Sequence, residues 1–333
     1  MSALKTNLFL FFRLLRTLTL RRLWNSFGIR VGRFMKTGEV STMPESLSVE
    51  PASVCNLRCP ECTLGKGGLT RPANMMSATT FVNALEPLGR WLVCCQFYLQ
   101  GEPTMNSQLC QMIEQAHRKR IFTMTSTNGQ TLTPELCRSL VQSGLDQIIV
   151  SVDGTTQKVY EQYRVGGSLQ KAIDGIRNLT SARDELCKRN PAIVAQFIVF
   201  RHNEHQIPDI KRIAREWGAD KVVLKSAQIE NLDNAAQLLP QNQRYSRYTK
   251  DSNGNYFMSK RFPINCLRLR QTMVVDSSGN VLPCCYDKNG QFVMGNVNEQ
   301  LATTIWKNQK FNMFRQWVWH TETPPDICLN CNG

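Results

Sequence analysis

Apolar and polar positions in the middle of the chain follow two alternating periods. Short runs with the character of strands predict six strands, at Leu47–Val54, Leu92–Leu99, Ile121–Thr127, Gln147–Val152, Ile193–Phe200 and Lys221–Lys225. Runs with the helical period separate them, at Met76–Leu88, Gln108–Arg118, Pro134–Gln142, Leu169–Cys187 and Gln206–Trp217. Because strand and helix alternate, we expect an α/β fold, a partial (β/α)6 TIM-like barrel with its functional residues at the carboxyl ends of the strands.

The chain changes character on both sides of this barrel pattern, which occupies residues 47–226. Residues 1–46 combine a basic amphipathic arm with a turn-rich linker, and residues 227–262 have no clear period and predict a bridging segment. In residues 263–333, apolar runs flank a turn at Gly279 and a helical pattern follows. This pattern predicts a small α+β domain that begins with a β-hairpin.

Residues 4–35 of the arm alternate apolar and basic clusters at helical spacing, which predicts an amphipathic helix. The longest uninterrupted apolar run, Leu8–Phe12, is too short to cross a bilayer, and arginines interrupt any signal-peptide core. Three partners stay open for such a helix: an anionic membrane surface, the body of the protein, or nucleic acid.

The basic charge is concentrated in this arm. The net charge is +14, and residues 1–36 contribute +8 of it through eight Lys or Arg and no acid, which leaves +6 for the rest. The body is therefore only mildly basic, and nucleic acid is a disfavoured partner. Thirteen cysteines, several in short-spaced pairs within 333 residues, favour metal ligation in a reducing cytoplasm over disulfides.

Three of these cysteines, Cys55, Cys59 and Cys62, form a Cys-x3-Cys-x2-Cys motif directly after the first predicted strand. Three thiolates can bind three irons of a [4Fe–4S] cube and leave the fourth iron open for another ligand. A zinc knuckle or three buried thiols is the alternative.

A second set consists of Cys266, Cys284, Cys328 and Cys331, contributed by the predicted hairpin and a Cys-x2-Cys pair. Four thiolates complete either a second cluster or a zinc ribbon, and the residues alone do not separate these alternatives. They also leave open whether Cys284 or Cys285 is the ligand. The cysteines inside predicted strands and helices are interpreted as small core residues: Cys94, Cys95, Cys110, Cys137 and Cys187.

Polar residues follow the second, third and fourth predicted strands, at Gly101-Glu102, Asn128-Gly129 and Ser151. Glycine lets backbone approach a ligand, and carboxylate, amide and hydroxyl groups can bind an ammonium, ribose or carboxylate, although turns use the same residues. Lys225 interrupts the apolar sixth strand and could act as a base or bind a carboxylate or phosphate. A lysine that simply reaches water or pairs with a carboxylate is the alternative.

The cysteine loop, together with Gln100-Gly101-Glu102, Thr127-Asn128-Gly129 and Ser151-Val152-Asp153-Gly154, resembles the radical S-adenosylmethionine (SAM) enzymes that carry a C-terminal SPASM or twitch extension. The resemblance covers about residues 47–333. Two departures are Glu61, where the family usually has an aromatic residue near adenine, and the missing Gly-x-Ile-x-Gly segment at Gln196–Asn203. Both departures concern the contacts to adenine.

This resemblance implies a reduced cluster that cleaves SAM to a 5′-deoxyadenosyl radical, which abstracts hydrogen from a substrate. It implies SAM contacts at Gly101, Glu102, Asn128, Ser151 and Arg164, and we predict Arg164 and Lys225 as catalytic residues. It also implies a single auxiliary [4Fe–4S] cluster with Cys284 as its hairpin ligand, assisting oxidation or electron transfer.

The expected partners are a low-potential reductant of the flavodoxin or ferredoxin type and a substrate that is a small molecule, sugar, lipid-linked intermediate or peptide. An anionic membrane surface is a further expected partner of the arm, which predicts a cytoplasmic enzyme held peripherally on the inner membrane face. Two rival functions are radical SAM modification of RNA or a peptide, and non-catalytic binding of zinc or an iron–sulfur cluster.

Overall fold

The computed structural model describes residues 3–32, 34, 39–259, 266–320 and 323–331. In these residues the chain forms one nine-stranded sheet and a separate two-stranded sheet. The first six strands are β1 (Ser46–Val49), β2 (Cys94–Phe97), β3 (Phe122–Thr127), β4 (Gln147–Ser151), β5 (Ala192–Val199) and β6 (Lys221–Ser226). They pair in parallel and in chain order, which confirms the predicted α/β partial barrel.

Helices connect these strands, as the sequence pattern predicts. They are α3 (Ala78–Leu85), α4 (Leu109–Arg118), α5 (Pro134–Gln142), α6 (Gln157–Tyr160), α7 (Leu169–Glu185) and α8 (Ile207–Glu216). Hydroxyl side chains fix where several of them begin, since Ser77, Thr133 and Ser168 each accept a hydrogen bond from a backbone N–H in the first turn. The cap at Thr133 precedes Pro134, whose missing N–H costs nothing in a first turn.

The core lies between the sheet and these helices. Leu47 and Val49 of β1 are fully buried, and the rings of Phe81 in α3 and Phe97 in β2 are 5.4 Å apart between centroids. Each such side chain contributes roughly 1.5–3 kcal/mol through the apolar surface it removes from water. This packing holds the carboxyl ends of the strands in fixed positions, and the polar motifs follow those ends.

The bridging segment is more regular than the sequence indicates. It contains a short helix, α9 (Ala235–Leu238), and two strands, β7 (Tyr248–Lys250) and β8 (Tyr256–Met258), that pair antiparallel. Its predicted boundary with the C-terminal domain, at residues 262 and 263, lies outside the described residues.

The C-terminal elements extend the barrel sheet. They are α10 (Arg268–Gln271), β9 (Thr272–Val275), β10 (Asn280–Leu282), β11 (Gly295–Asn296), α11 (Ala302–Lys307), α12 (Gln309–His320) and α13 (Asp326–Leu329). The predicted hairpin is β9–β10, and β9 pairs in parallel with β1, so the hairpin is not a sheet of its own. The buried carboxylate of Glu50 strengthens this junction, because it pairs with Arg71 and also accepts a hydrogen bond from the N–H of Ser277.

The arm forms two helices, α1 (Ala3–Thr17) and α2 (Leu20–Gly32), where the sequence predicts one. The break occurs because the side chain of Thr19 accepts a hydrogen bond from the N–H of Arg22 and so starts a new helix. No helix among the described residues has the length and apolar character that crossing a membrane requires.

Arg22 anchors α2 to the barrel at the amino-terminal end of its strands. Its guanidinium donates to the carbonyl oxygens of Thr17, Gly89, Lys119 and Arg120 at 2.5–2.9 Å. Lys119 and Arg120 follow the end of α4, where helix carbonyls lack helical partners and attract a cation. Helix α1 is held at the same end, through Arg13 to Asp146 and through Asn7, which accepts from Lys221 at 2.8 Å.

Candidate active site

The loop after β1 brings the three predicted cluster thiols to the carboxyl end of the barrel. Cys59 is buried, and Cys55 and Cys62 are half-buried beside it. The N–H of Leu57 donates to the sulfur of Cys55 at 3.4 Å, and the N–H of Cys62 donates to the carbonyl of Cys59 at 3.1 Å. Burial raises the pKa of the Cys59 thiol to about 11, and the charges of Cys55 and Cys62 add to this rise. Three thiols this close repel one another as free thiolates, and an iron cluster removes that repulsion.

Two polar side chains approach these sulfurs. Arg164 donates from Nη1 to the sulfur of Cys59 at 3.8 Å and from Nε to Asp153 at 2.6 Å. Burial alone would lower the pKa of Arg164, but the charges of Asp153 and Cys59 outweigh it and raise the pKa overall. Asn128 donates from Nδ2 to Asn56 at 2.7 Å and to the sulfur of Cys55 at 3.8 Å. Donors to cluster sulfurs are one means by which a protein tunes an iron–sulfur centre.

Gly101 and Glu102 lie behind the same loop. Gly101 has φ +68°, and a Cβ at this position would stand 2.2 Å from the carbonyl oxygen of Ala52 and 2.7 Å from that of Val54. Only glycine allows the β2 loop to approach the start of the cysteine loop this closely. Gly101 therefore approaches the chain's own backbone.

The carboxylate of Glu102 is buried and bonded within the protein. One oxygen accepts from the N–H and hydroxyl of Thr104, and the other accepts from the N–H of Asn128 at 2.7 Å. Burial raises the pKa of Glu102, and these hydrogen bonds counteract part of the rise. A carboxylate has about four acceptor positions, and the hydroxyl of Thr127 is a further donor to Glu102, so the protein itself occupies these positions.

Ser151 ends β4 and is buried, as the sequence predicts for a barrel strand. Two residues later Asp153, which is fully buried, accepts the N–H of Ile198 at 2.6 Å as well as Arg164. Asp153 therefore fixes the position of Arg164 relative to β5. Sequence reasoning gave Asp153 no role, although it stands in the quoted Ser-Val-Asp-Gly segment.

A cavity of about 750 Å³ extends from the interior of the barrel to the C-terminal elements. Lys225 of β6 lines it together with Arg247, Arg268 and Lys288, against one acid, Glu61. Ser151 and the cluster cysteines are not among the described residues that line it. Burial lowers the pKa of Lys225, and the neighbouring charge of Arg247 lowers it further.

Arg247 comes from the bridging segment, directly before β7, and lines the cavity. Its Nε and Nη1 atoms are buried and have no hydrogen-bond partner among the described residues, while Nη2 donates to the carbonyl of Ser226 at 3.3 Å. These two atoms expose almost no surface and so do not face the cavity; the positive charge of Arg247 beside Lys225 is what favours an anionic group there. The sequence offered no signal for Arg247, since its neighbours show no helical or strand period.

The four auxiliary thiols also lie together. The electrostatic neighbours of Cys284 include Cys266 and Cys328, and Cys328 in turn is close to Cys266 and Cys331. Burial raises the pKa of Cys328 to about 12 and of Cys284 in the same direction. Cys285 instead lines the cavity, where its sulfur accepts from Arg268 at 3.4 Å. This arrangement favours Cys284 as the hairpin ligand.

No three His, Cys, Asp or Glu side chains in the described part of the chain converge closely enough to hold a single metal ion. The two sets of cysteines, the three after β1 and the four auxiliary ones, suit a larger centre whose irons are spread over the corners of a cube. Each group is buried or half-buried, and the first has N–H donors directed at its sulfurs.

Cys187 differs from the prediction of a core residue. It is exposed and has φ +51°, because it follows the last turn of α7 rather than continuing the helix. Cys95 and Cys137 are fully buried as predicted.

Three thiols at the carboxyl end of a parallel partial barrel, followed by a C-terminal set of four cysteines, are the arrangement expected of a radical SAM enzyme with an auxiliary cluster. Residues 49–212 match the family model of the radical SAM superfamily, and residues 266–332 match that of the iron–sulfur cluster-binding SPASM domain. The chain belongs to this superfamily and to its SPASM-bearing members. It is an enzyme that uses SAM and a SAM-binding [4Fe–4S] cluster, and its SPASM domain binds auxiliary iron–sulfur clusters.

The proteins to which this chain is similar are named for modifying different substrates. The PqqA peptide cyclase of Gluconobacter oxydans is 27% identical over 306 residues, covering 86% of this chain and 82% of the relative. The tungsten-containing aldehyde ferredoxin oxidoreductase cofactor-modifying protein of Pyrococcus furiosus is 23% identical and covers 81% and 82%. The structure of Streptococcus suis SuiB bound to S-adenosylmethionine has a TM-score of 0.65 at 15% identity, covering 91% of this chain and 75% of SuiB, and supports the fold.

Proposed function

We propose that this enzyme abstracts hydrogen from a substrate that carries a phosphate or carboxylate group. The observation that supports the proposal is the pair of cations Lys225 and Arg247 at a cavity whose described lining includes a single acid, Glu61. Since like charges repel, the two cations are costly to hold together unless an anion lies between them. A planar arginine fork beside a lysine suits the oxygens of such an anion.

Cys55, Cys59 and Cys62 hold the SAM-binding cluster in this proposal. The cluster, when bound and reduced, would supply the electron that cleaves SAM to methionine and the 5′-deoxyadenosyl radical needed to take a hydrogen atom from the substrate. Glu102 accepts a hydrogen bond from the ammonium group of SAM in exchange for one of its protein donors, and Gly101 shapes the loop that presents Glu102. Asn128 and Arg164 position the cysteine loop through their donors to Cys55 and Cys59.

Ser151 and Lys225 have separate roles in this proposal. Ser151 lies at the end of β4, close to the buried Asp153–Arg164 pair, and contributes to the SAM site. Lys225 binds the substrate anion directly. In the alternative role of a base, Lys225 is neutral, which its lowered pKa favours, and Arg247 binds the anion.

Cys266, Cys284, Cys328 and Cys331 hold one auxiliary cluster on the far side of the cavity. A centre at this position can accept an electron from the substrate, which makes the net reaction an oxidation. Glu61, next to Cys62, and Cys285, next to Cys284, both line the cavity, so a substrate inside it contacts a chain neighbour of each cysteine set.

A peptide is the second candidate substrate, since a relative of similar length is a peptide cyclase. A peptide with an acidic side chain or a free carboxylate satisfies the same cations. Low-potential reduction by a flavodoxin- or ferredoxin-type protein completes the proposed cycle. Through the arm, we propose a peripheral position on an anionic membrane surface inside the cell.

The experiment pairs anionic candidate substrates with neutral analogues of the same skeleton. Each is deuterated and incubated with reconstituted, reduced enzyme, and deuterium in 5′-deoxyadenosine is measured. We expect transfer from an anionic member of a pair and at least tenfold less from its neutral analogue, since a charge-assisted contact is worth about 1.5–3 kcal/mol. Equal transfer from both members contradicts the proposal.

Two variants separate binding from chemistry. Lys225→Met and Arg247→Met should raise the KM for the anionic substrate while SAM cleavage without substrate stays at the wild-type rate. Lys211→Met on α8, far from the cavity lining, is the matched control and should leave both unchanged. If Lys225→Met and Arg247→Met leave KM unchanged, the anion lies elsewhere.

A further inference from the structure

The two arm helices present their apolar residues outward. On α1, Leu8, Phe11, Phe12 and Leu15 recur at helical spacing, and all four are exposed. A helix that packs on a protein body usually buries its apolar stripe and exposes its polar face. This stripe therefore has no partner within the described part of the chain.

Helix α2 also exposes its apolar residues, and to a larger extent than α1. Leu20, Trp24, Phe27 and Val31 form its outward stripe, and Leu20 and Trp24 are 88% and 77% exposed. Its inward face instead carries polar anchors: Arg22, bound by four carbonyls, and Asn25, which exchanges two hydrogen bonds with the backbone of Met43. The polar face is thus fixed to the protein, and the aromatic face is left for a partner.

Both stripes lie at one end of the barrel. The contacts of α1 and α2 are with residues that precede or begin strands, namely Glu45, Gly89, Arg120, Asp146 and Lys221. The exposed faces therefore point away from the amino-terminal end of the barrel, and the cavity opens at the opposite, carboxyl end. Contiguous exposed apolar surface of this extent marks an interaction site.

The charge around the stripes identifies the partner. Residues 1–36 contain no acid, and Arg16 and Arg21 are exposed beside the apolar residues. A second copy of the chain would bring the same positive charge to an interface between identical surfaces, and the two would repel. An anionic bilayer offers an apolar interior for the aromatic residues and negative headgroups for the arginines.

A cavity next to α1 is also lined by both apolar and cationic residues. It measures about 840 Å³, and α1 contributes Leu8, Phe9, Phe12 and Arg16 to its lining, while Lys188 and Arg189 come from the segment after α7. Asp184 and Asp220 also line it, and Arg183 is paired with Asp220. The apolar and cationic walls match the acyl chain and phosphate of a phospholipid at the membrane surface.

We infer that α1 and α2 form a rigid platform that docks the amino-terminal end of the barrel on an anionic phospholipid bilayer. The mouth of the active site then faces away from the membrane. A substrate reaches it from solution, and the docking does not require a lipid-linked substrate.

The test uses the full-length holoenzyme and two kinds of vesicle, phosphatidylcholine alone and phosphatidylcholine mixed with phosphatidylglycerol. We expect sedimentation with the mixed vesicles, weaker sedimentation with phosphatidylcholine, and loss of binding as salt rises. Trp24→Glu combined with Phe27→Glu should reduce partitioning at least about tenfold, because burial of these side chains in the bilayer is lost. Arg16→Gln combined with Lys188→Gln should weaken binding to the mixed vesicles only.

Leu301→Glu, at an exposed apolar residue near α11, is the matched control and should bind like the wild type. All variants should keep the wild-type melting temperature and SAM cleavage, since the changed side chains point to solvent. Equal binding to both vesicle types, or wild-type binding by the Trp24/Phe27 variant, overturns the inference. So does a lipid-free dimer that the same variant abolishes, because the platform would then bind a second copy.

Discussion

The guanidinium of Arg164 bridges Cys59 and Asp153, donating to the sulfur at 3.8 Å and to the carboxylate at 2.6 Å. Asp153 also accepts the N–H of Ile198 at the end of β5. The position of a proposed cluster ligand is therefore tied to the ends of two neighbouring strands. A cation beside the sulfur also stabilises negative charge on a reduced cluster.

Replacing Arg164 should therefore change the redox chemistry of the cluster as well as its loading. Arg164→Gln should make the reduction potential more negative and slow SAM cleavage about 10-fold or more, the usual cost of losing a residue that supports a metal ligand. A redox titration followed by EPR measures the first effect. Arg177→Gln removes an exposed arginine paired with Asp174 and should leave the potential unchanged. An unchanged potential in Arg164→Gln would show that its contact with Cys59 has no electronic role.

Gly101 should tolerate alanine far less than another glycine of similar backbone conformation. Gly101→Ala places a Cβ 2.2 Å from the carbonyl oxygen of Ala52, and the cysteine loop or the β2 loop must move. Gly254 has φ +84° with no neighbouring atom, so Gly254→Ala carries only the backbone strain, about 1 kcal/mol. Gly101→Ala should cost about 1–3 kcal/mol more and reduce iron content. Chemical denaturation and iron analysis of both variants measure this difference, and equal costs would contradict it.

Breaking the buried pair of Glu50 and Arg71 should loosen the C-terminal elements from the barrel. Arg71→Met leaves the buried carboxylate of Glu50 without its cation, which costs about 3–5 kcal/mol. The double variant Glu50→Gln with Arg71→Met should recover part of this loss. The exposed pair of Glu114 and Arg118 is the control, worth about 0.3–0.5 kcal/mol. Unfolding free energies from denaturant titration decide between these values.

The two neighbouring hairpin cysteines should behave differently on substitution. Cys284→Ala should lower iron from about eight to about four per chain, because one of four auxiliary ligands is lost. Cys285→Ala should keep about eight, since Cys285 faces the cavity and Arg268. Iron and sulfide analysis after anaerobic reconstitution measures both. The reverse pattern would make Cys285 the ligand.

Local patterns predict most of the barrel. The helix α5 begins and ends where the sequence indicates, because Thr133 and Pro134 define its first turn. The strands β3 to β6 are also close to their predicted bounds, since most apolar residues of β3 to β5 are buried and β6 pairs in parallel with β5.

Features that depend on contacts between distant parts of the chain are harder to predict from the sequence. The pairing of β9 with β1 joins Thr272 to Ser46, and no local pattern encodes it. The same holds for Arg247, which reaches the cavity from a segment without a period, and for Asp153, whose partners lie in other elements. The apolar stripes of the arm followed from spacing, which left open whether they face a membrane or the body of the protein. The break at Thr19 depends on the hydrogen bond to its side chain from the N–H of Arg22 and on the anchoring of Arg22 to the barrel.

The measurement that most directly tests the central claim is SAM cleavage by anaerobically reconstituted, reduced enzyme. Wild type should release 5′-deoxyadenosine and methionine, and Cys59→Ala should release neither above background while it remains folded by circular dichroism. If the wild type leaves SAM intact, or if Cys59→Ala cleaves it at the same rate, the three thiols after β1 do not hold the catalytic cluster.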